Sequence, residues 1–419
     1  MTLLDRAIDT RPLRSSPAFR RLWLGTSVSA FGGLITVVAV LYQVWELTGS
    51  PAWVGVIGLA HAAPLVVFGL VGGSLADALD RRRLVLLTTT GQVLTAALLA
   101  VQALAGVGSL GAVLGLVALE AACDGLGAPA RRSFTARLLP SDQVPAGVAL
   151  RHLSFQAAIL LGPLVAGLVI GRWGVGICYV LDAGTFAASL YAVLRLPAMR
   201  PTVGAARPGV RTIWQGWTFI GSRPVLSGAF ITDVVATVMA MPISMFPVIN
   251  AERFGGDPET LGLFMTAVAV GGVAAALGSG AVTRATHPGA VMLAAAAMWG
   301  LGLAGFGLAQ PLWLVLGCLA VAGAADTVSV ISRGSIVQTA TPDSHRGRVS
   351  AVEHIVGVSG PDLGNARAGL VAGATSGTVA VLGGGLICAL GVAAVATTNK
   401  PLRQYRPARH QLSHDSSTV

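Results

Sequence analysis

The chain has 419 residues, of which 54% are hydrophobic and 11% charged, and its mean hydropathy is +0.74. A soluble domain carries about a quarter charged residues, so this composition excludes an ordinary water-soluble protein and points to lipid as the solvent. The net charge of +10 would suit a nucleic-acid partner, but the placement of the cations along the chain argues against one.

Apolar runs of about 20 residues cross a bilayer as helices. Twelve are legible, near 22–44, 53–76, 84–106, 111–130, 151–171, 177–195, 226–250, 260–282, 290–309, 312–332, 349–373 and 378–397. With both termini inside, every Lys and Arg except Arg172, Arg253 and Arg367 falls in or at the edge of a cytoplasmic segment. That bias predicts cytoplasmic termini and gives the basic surplus a second partner, anionic membrane lipid. The first run is too long for a cleavable signal and is followed by further spans, so it reads as a signal anchor. Cys123, Cys178, Cys318 and Cys388 lie in or beside apolar runs without metal-ligand spacing. They read as small packing residues, and no metal site is expected.

The sequence predicts a six-span half over 1–195, a cytoplasmic linker over 196–225, a second six-span half over 226–399 and a cytoplasmic tail over 400–419. The linker holds Pro197, Pro201 and Pro208 and then Ile213, Trp214, Trp217 and Ile220, which share one helical face. An amphipathic helix on the inner membrane surface is expected there. The halves repeat at an offset of 202. Asp124, Arg131 and Pro140 map onto Asp326, Arg333 and Pro342, and the stretch Gly162–Gly171 maps onto Gly364–Gly373. Internal symmetry of this kind suits a transporter whose halves rock about a central site.

Ionisable groups within spans are costly and are functional candidates. Glu120 and Asp124 are one turn apart on span four and share a face. Two acids so close in low dielectric do not both ionise, so one can take up and release a proton. The alternative is that Asp124 pairs with Arg131 two turns on, as a structural gate, although Pro129 lies between them where a bend would disturb the alignment. Asp182 on span six reads as a hydrogen-bonding structural group. Asp233 and Asp326 stand on spans seven and ten, with Arg333 two turns beyond Asp326 and within reach of it. Arg367 on span eleven has no sequence-local partner and could meet an anionic ligand or one of the acids.

Between spans two and three runs Gly72-Gly73-Ser74-Leu75-Ala76-Asp77-Ala78-Leu79-Asp80-Arg81-Arg82-Arg83. This resembles the loop motif of the major facilitator superfamily, roughly G-x-L-A-D-R-x-G-R-R. Gly73, Leu75, Ala76, Asp77, Arg81 and Arg82 match it, Ala78 replaces the first Arg and Asp80 replaces the second Gly. The Asp-Arg-Arg-Arg ending is similar to the branch that holds the bacterial enterobactin exporter and macrolide-type efflux pumps. Span ten and its loop, from Asp326 through Arg333 to Arg346-Gly347-Arg348, resemble that branch too. Gly162-Pro163 on span five resembles the Gly-Pro motif of drug antiporters, with Ala158 and Ala166 in place of glycines. The superfamily's mid-membrane Arg on span four is absent, and Glu120 and Asp124 stand there instead.

The resemblance implies an all-α integral membrane protein of twelve helices in two pseudo-symmetric six-helix halves, in a bacterial cytoplasmic membrane. It implies that spans one, four, seven and ten line a central path, which would place Asp233 and Asp326 there. It makes Asp77, Arg81 and Arg82 a latch, with Asp77 facing a helix N-terminus and the arginines bridging acids; the plainer reading is a positive-inside anchor. The implied activity is proton-coupled export of a small molecule, a catecholate siderophore such as enterobactin, with macrolides or other amphiphilic drugs as the alternative and nutrient import less favoured. A monomer is expected, and no cofactor beyond the proton gradient. An enzyme is disfavoured: the single lysine, Lys400, follows Asn399, so no Gly-Lys-Ser/Thr phosphate loop exists.

Overall fold

The structure, a computed structural model, describes residues 9–199 and 210–407. The linker positions Pro201 and Pro208, the first eight residues and the tail beyond 407 lie outside the described residues. Long helices account for nearly all of what is described: α1 Pro17–Thr48, α2 Pro51–Ala78, α3 Arg81–Leu104, α4 Leu110–Leu138, α5 Val144–Trp173, α6 Val175–Leu194, α7 Pro224–Ala240, α8 Pro258–Leu277, α9 Pro288–Leu308, α10 Leu312–Ala340, α11 Asp343–Ala374 and α12 Gly377–Thr398. Their ends carry the usual stop and start chemistry. Ser16 accepts from the Phe19 amide to open α1, Ser109 opens α4, Ser376 opens α12, and α1 closes at Gly49 with φ +57°.

Eleven spanning segments among the described residues are long and apolar enough to cross a membrane, counting α7 and its continuation as one. The remaining long helix, α11, has 32 residues but carries Asp343, Arg346, Arg348, Glu353, Asp362 and Arg367, which lowers its apolarity. Large side chains face outward along whole stripes, as with Leu87, Leu94, Leu98 and Val101 on α3. Outward Leu with inward Thr and Gln inverts the soluble pattern and suits a lipid surround. The chain is thus an all-α, multi-pass membrane protein.

By contacts it forms two compact units. One comprises Met1–Gly49, Ala60–Pro208 and Asp257–Leu263; the other comprises Ser50–Leu59, Gly209–Gly256 and Phe264–Val419. In the first, α6 packs on α1 and α3, α3 on α4, and α1 on α5. In the second, α12 packs on α7 and α9, α9 on α10, and α7 on α11. Each pairing in the first unit has its counterpart six helices later, so the repeat at offset 202 is a repeat of packing.

Span seven is not one helix. α7 stops at Ala240, Met241 and Pro242 break it, a 3-10 turn covers Ile243–Met245, and a second helix runs Phe246–Phe254. Proline removes the amide that would continue the ladder. The linker helix Val210–Gly221 is also divided in its loyalties. Ile220 is buried with Leu226, Phe230, Val349, Val352 and Val356, and Ile213 packs on that cluster. Trp214 is 69% exposed. The apolar face expected on the membrane is therefore split, its isoleucines going to protein and Trp214 facing out.

Candidate functional site

In the first unit the charged groups converge on α4. The Arg131 guanidinium donates through Nη2 to Asp124 Oδ1 at 2.5 Å and to the Asp124 carbonyl oxygen at 2.8 Å. α4 runs through Pro129 without a stop, so the proline leaves this pairing in place. Gly127 makes it possible: a Cβ there would lie 2.5 Å from Arg131 Nη1. Glu120, one turn earlier, makes no hydrogen bond among the described residues and lies in electrostatic range of Asp182 and Asp124. Asp182 is fully buried on α6. It accepts from Thr36 Oγ1 at 2.7 Å and from Thr185 Oγ1 at 3.2 Å. Gly32 lets α1 approach, since a Cβ there would stand 2.6 Å from the Asp182 carboxylate.

In the second unit Arg333 forms an ion pair with Asp233, joining α10 to α7. Glu353 on α11 adds its field to the same guanidinium. The pairing of Arg333 with Asp326 that the sequence allows does not form. Asp326 is exposed and makes no ion pair or hydrogen bond among the described residues. Arg367 pairs with no acid among the described residues. Its Nε donates to the Val238 carbonyl at 3.0 Å and its Nη2 to Met239 at 2.6 Å. Those are carbonyls in the last turn of α7, which would otherwise lack partners at the break. Asn365, half a turn away, accepts from the Ser244 amide at 3.0 Å, and Ser244 Oγ donates to the Asn365 carbonyl at 2.9 Å. α11 therefore clasps both sides of the broken span.

The loop motif is knit to its own unit. Arg81 pairs with Asp77 at 3.6 Å and donates to the Ala76 carbonyl at 3.2 Å. Arg82 donates to the carbonyls of Val193 at 3.3 Å and Leu194 at 2.7 Å, at the C-terminal end of α6. Asp80, where the superfamily pattern has Gly, caps α3 by accepting from the amides of Arg82 and Arg83, and also accepts from Met199. Asp77 thus meets its neighbour Arg81, and Arg82 bridges carbonyls in place of an acid. A Cβ at Gly73 would meet nothing, whereas one at Gly72 would lie 2.5 Å from the Leu126 carbonyl oxygen. Gly72 is where α2 and α4 cross. Gly162 packs on Leu34, and the Pro163 carbonyl lies 2.5 Å from where Gly262 would carry a Cβ.

Glu353 and Asp362 stand inside the eleventh predicted span and Arg151 at the edge of the fifth, so the rule that marks Asp233 as a candidate extends to the two acids and reaches Arg151 only at its limit.

Helical pairs that repeat six helices apart, with charged groups on α4, α7, α10 and α11, are the plan of a membrane transporter, and the family match and relatives below make the chain a transport protein and not an enzyme. Solved transporters share the fold: the nucleoside transporter NupG at TM-score 0.75 and 14% identity, with 93% of this chain and 100% of that chain covered, and a POT family transporter bound to 5-aminolevulinic acid at TM-score 0.73 and 12% identity, covering 92% and 97%. The chain belongs to the transmembrane secretion effector family of major facilitator transporters, whose model matches residues 9–416. Among its relatives are the enterobactin exporters EntS of Shigella boydii serotype 18 and of Escherichia coli O1:K1, each 27% identical over 359 residues, covering 85% of this chain and 86% of theirs.

Proposed function

We propose that the chain is a secondary active exporter of the bacterial cytoplasmic membrane, working by alternating access and proton antiport, with a catecholate siderophore of the enterobactin type as cargo. The observation that carries this reading is similarity to the enterobactin exporters over 85% of the chain, spread across both halves. In this reading the boundaries near 195, 225 and 399 divide two moving halves from linker and tail, both termini face the cytosol, and a monomer surrounded by lipid is the working unit. Asp326 is the leading proton carrier because no cation among the described residues holds it, with Glu120 the candidate in the first half. Asp233, held by Arg333, ties α7 to α10, and Asp124, held by Arg131, braces α4 itself. Asp77, Arg81 and Arg82 serve in this reading as the latch that holds the outward-facing state and breaks on switching.

The test is siderophore secretion by cells that lack their own catecholate exporter, with and without this chain. Restored secretion that collapses with a protonophore is the expected result. No restoration with the protein present in the membrane would remove the siderophore and send the search to macrolides and other amphiphilic drugs. Uptake by right-side-out vesicles but not inside-out ones would reverse the direction.

A further inference from the structure

Arg367, which could have met an anionic ligand, is engaged with two carbonyls, and Arg333 is engaged with Asp233. A different cation faces open space. In the first unit a cavity of about 320 Å³ lies between α1 and α5 near their N-terminal ends. Its polar lining is Arg151, His152, Thr26, Ser27 and Ser154, and Phe155 gives it an aromatic wall. The two helices are pinned beside it by Trp23, whose Nε1 donates to the Leu150 carbonyl at 3.2 Å, so the gap is part of the fold.

Some of these groups are already engaged and others are open to a ligand. Thr26 spends its hydroxyl on Leu22 and Ser154 spends its own on Leu150. Ser27 and His152 make no side-chain hydrogen bond among the described residues. Arg151 uses one nitrogen, Nη1, on Thr135 Oγ1 at 3.3 Å, leaving Nε and Nη2. The charge inventory points the same way. No carboxylate lines the cavity, and the charged groups acting on Arg151 are Arg131 and Arg132, both of its own sign. A half-buried guanidinium with free donors, repelled by neighbours and facing a cavity beside an aromatic ring, is matched by an acid group on an apolar body.

We propose that this cavity binds the acid group of an amphiphilic organic anion, with Arg151 as the cation, Ser27 and His152 as further donors and Phe155 as the apolar wall. Two sources share that chemistry: a soluble aromatic acid, which would be cargo, and the headgroup of an anionic phospholipid. Assigning the occupant as cargo rests on the export reading; the site itself does not.

The experiment uses the full chain in nanodiscs of zwitterionic lipid, titrated calorimetrically with 2,3-dihydroxybenzoate, and in parallel native mass spectrometry with added phosphatidylglycerol. Removing a charge-assisted donor set weakens binding by at least about 10-fold, so R151Q is expected to lose that much and R151K to stay within about threefold. Loss of dihydroxybenzoate binding in R151Q assigns the site to a solute, and loss of phosphatidylglycerol adducts alone assigns it to lipid. Equal binding by wild type and R151Q in both arms, or no binding by monodisperse wild-type protein in either, overturns the proposal. Binding that depends on Arg151 in a protein that secretes nothing leaves the site standing and removes export. Secretion and binding both intact in R151Q remove the site and leave export.

Discussion

Arg333 reaches from α10 to Asp233 on α7, whereas its counterpart one repeat earlier, Arg131, turns back onto Asp124 of its own helix. The difference has a simple source. α7 offers a carboxylate at Asp233, while α1, which takes its place in the first half, has none before Glu46. A guanidinium largely shielded from solvent needs a partner, and Arg131 takes the nearest. The consequence is that Asp326, the repeat-mate of Asp124, is left free.

Breaking the cross-helix pair strands a charge. Asp233→Asn and Arg333→Gln are each expected to lower stability by about 3–5 kcal/mol, the usual penalty for orphaning one member of a buried pair. The double variant should recover much of that loss. Thermal unfolding of the four proteins in one detergent checks this, and additive losses would show that the pair contributes nothing.

Asp326 has no partner to lose among the described residues. Asp326→Asn should therefore unfold within a degree or two of wild type, yet reduce protonophore-sensitive efflux by 10-fold or more, an effect of about 1.4 kcal/mol or greater. The double variant Glu120→Gln with Asp124→Asn is expected to reduce efflux as well, with a loss of stability from freeing Arg131. Unchanged efflux in Asp326→Asn would return the coupling role to α4.

Arg367 holds the broken end of span seven. Each of its two hydrogen bonds from a charged donor contributes about 1.5–3 kcal/mol, so Arg367→Gln should destabilise the protein strongly, and Arg367→Lys should recover part of the loss. Cysteine accessibility at a residue placed at position 243 should rise in Arg367→Gln. A Tm matching wild type would mean that the α7 carbonyls find other partners.

Gly72 and Gly73 separate contact from motif. Gly72→Ala would drive its methyl into the Leu126 carbonyl at 2.5 Å, whereas Gly73→Ala meets open space. Overpacking typically costs about 1–3 kcal/mol, so the first variant should unfold several degrees earlier than the second. Equal behaviour would show that α2 and α4 can separate there without loss.

The long helices, the two-fold repeat and the membrane setting were written in the sequence, because each depends on local apolarity, spacing and composition, which a bilayer reads one segment at a time. The acids were legible for the same reason: a carboxylate within an apolar run stands out wherever it points. Their partners were not. Arg82, Arg253 and Arg367 all end at main-chain carbonyls near helix C-termini, with Arg253 donating to Phe306, Gly307 and Ala309. A carbonyl has no sequence signature, since every residue carries one, and only the packing of α6, α7 and α9 decides which are left without an amide. Asp233 and Arg333 are 100 positions apart, and nothing local prefers that pair over Asp326 with Arg333. The contact between α7 and α10 settles it, because a side chain answers to the nearest charge in space and not to the nearest along the chain.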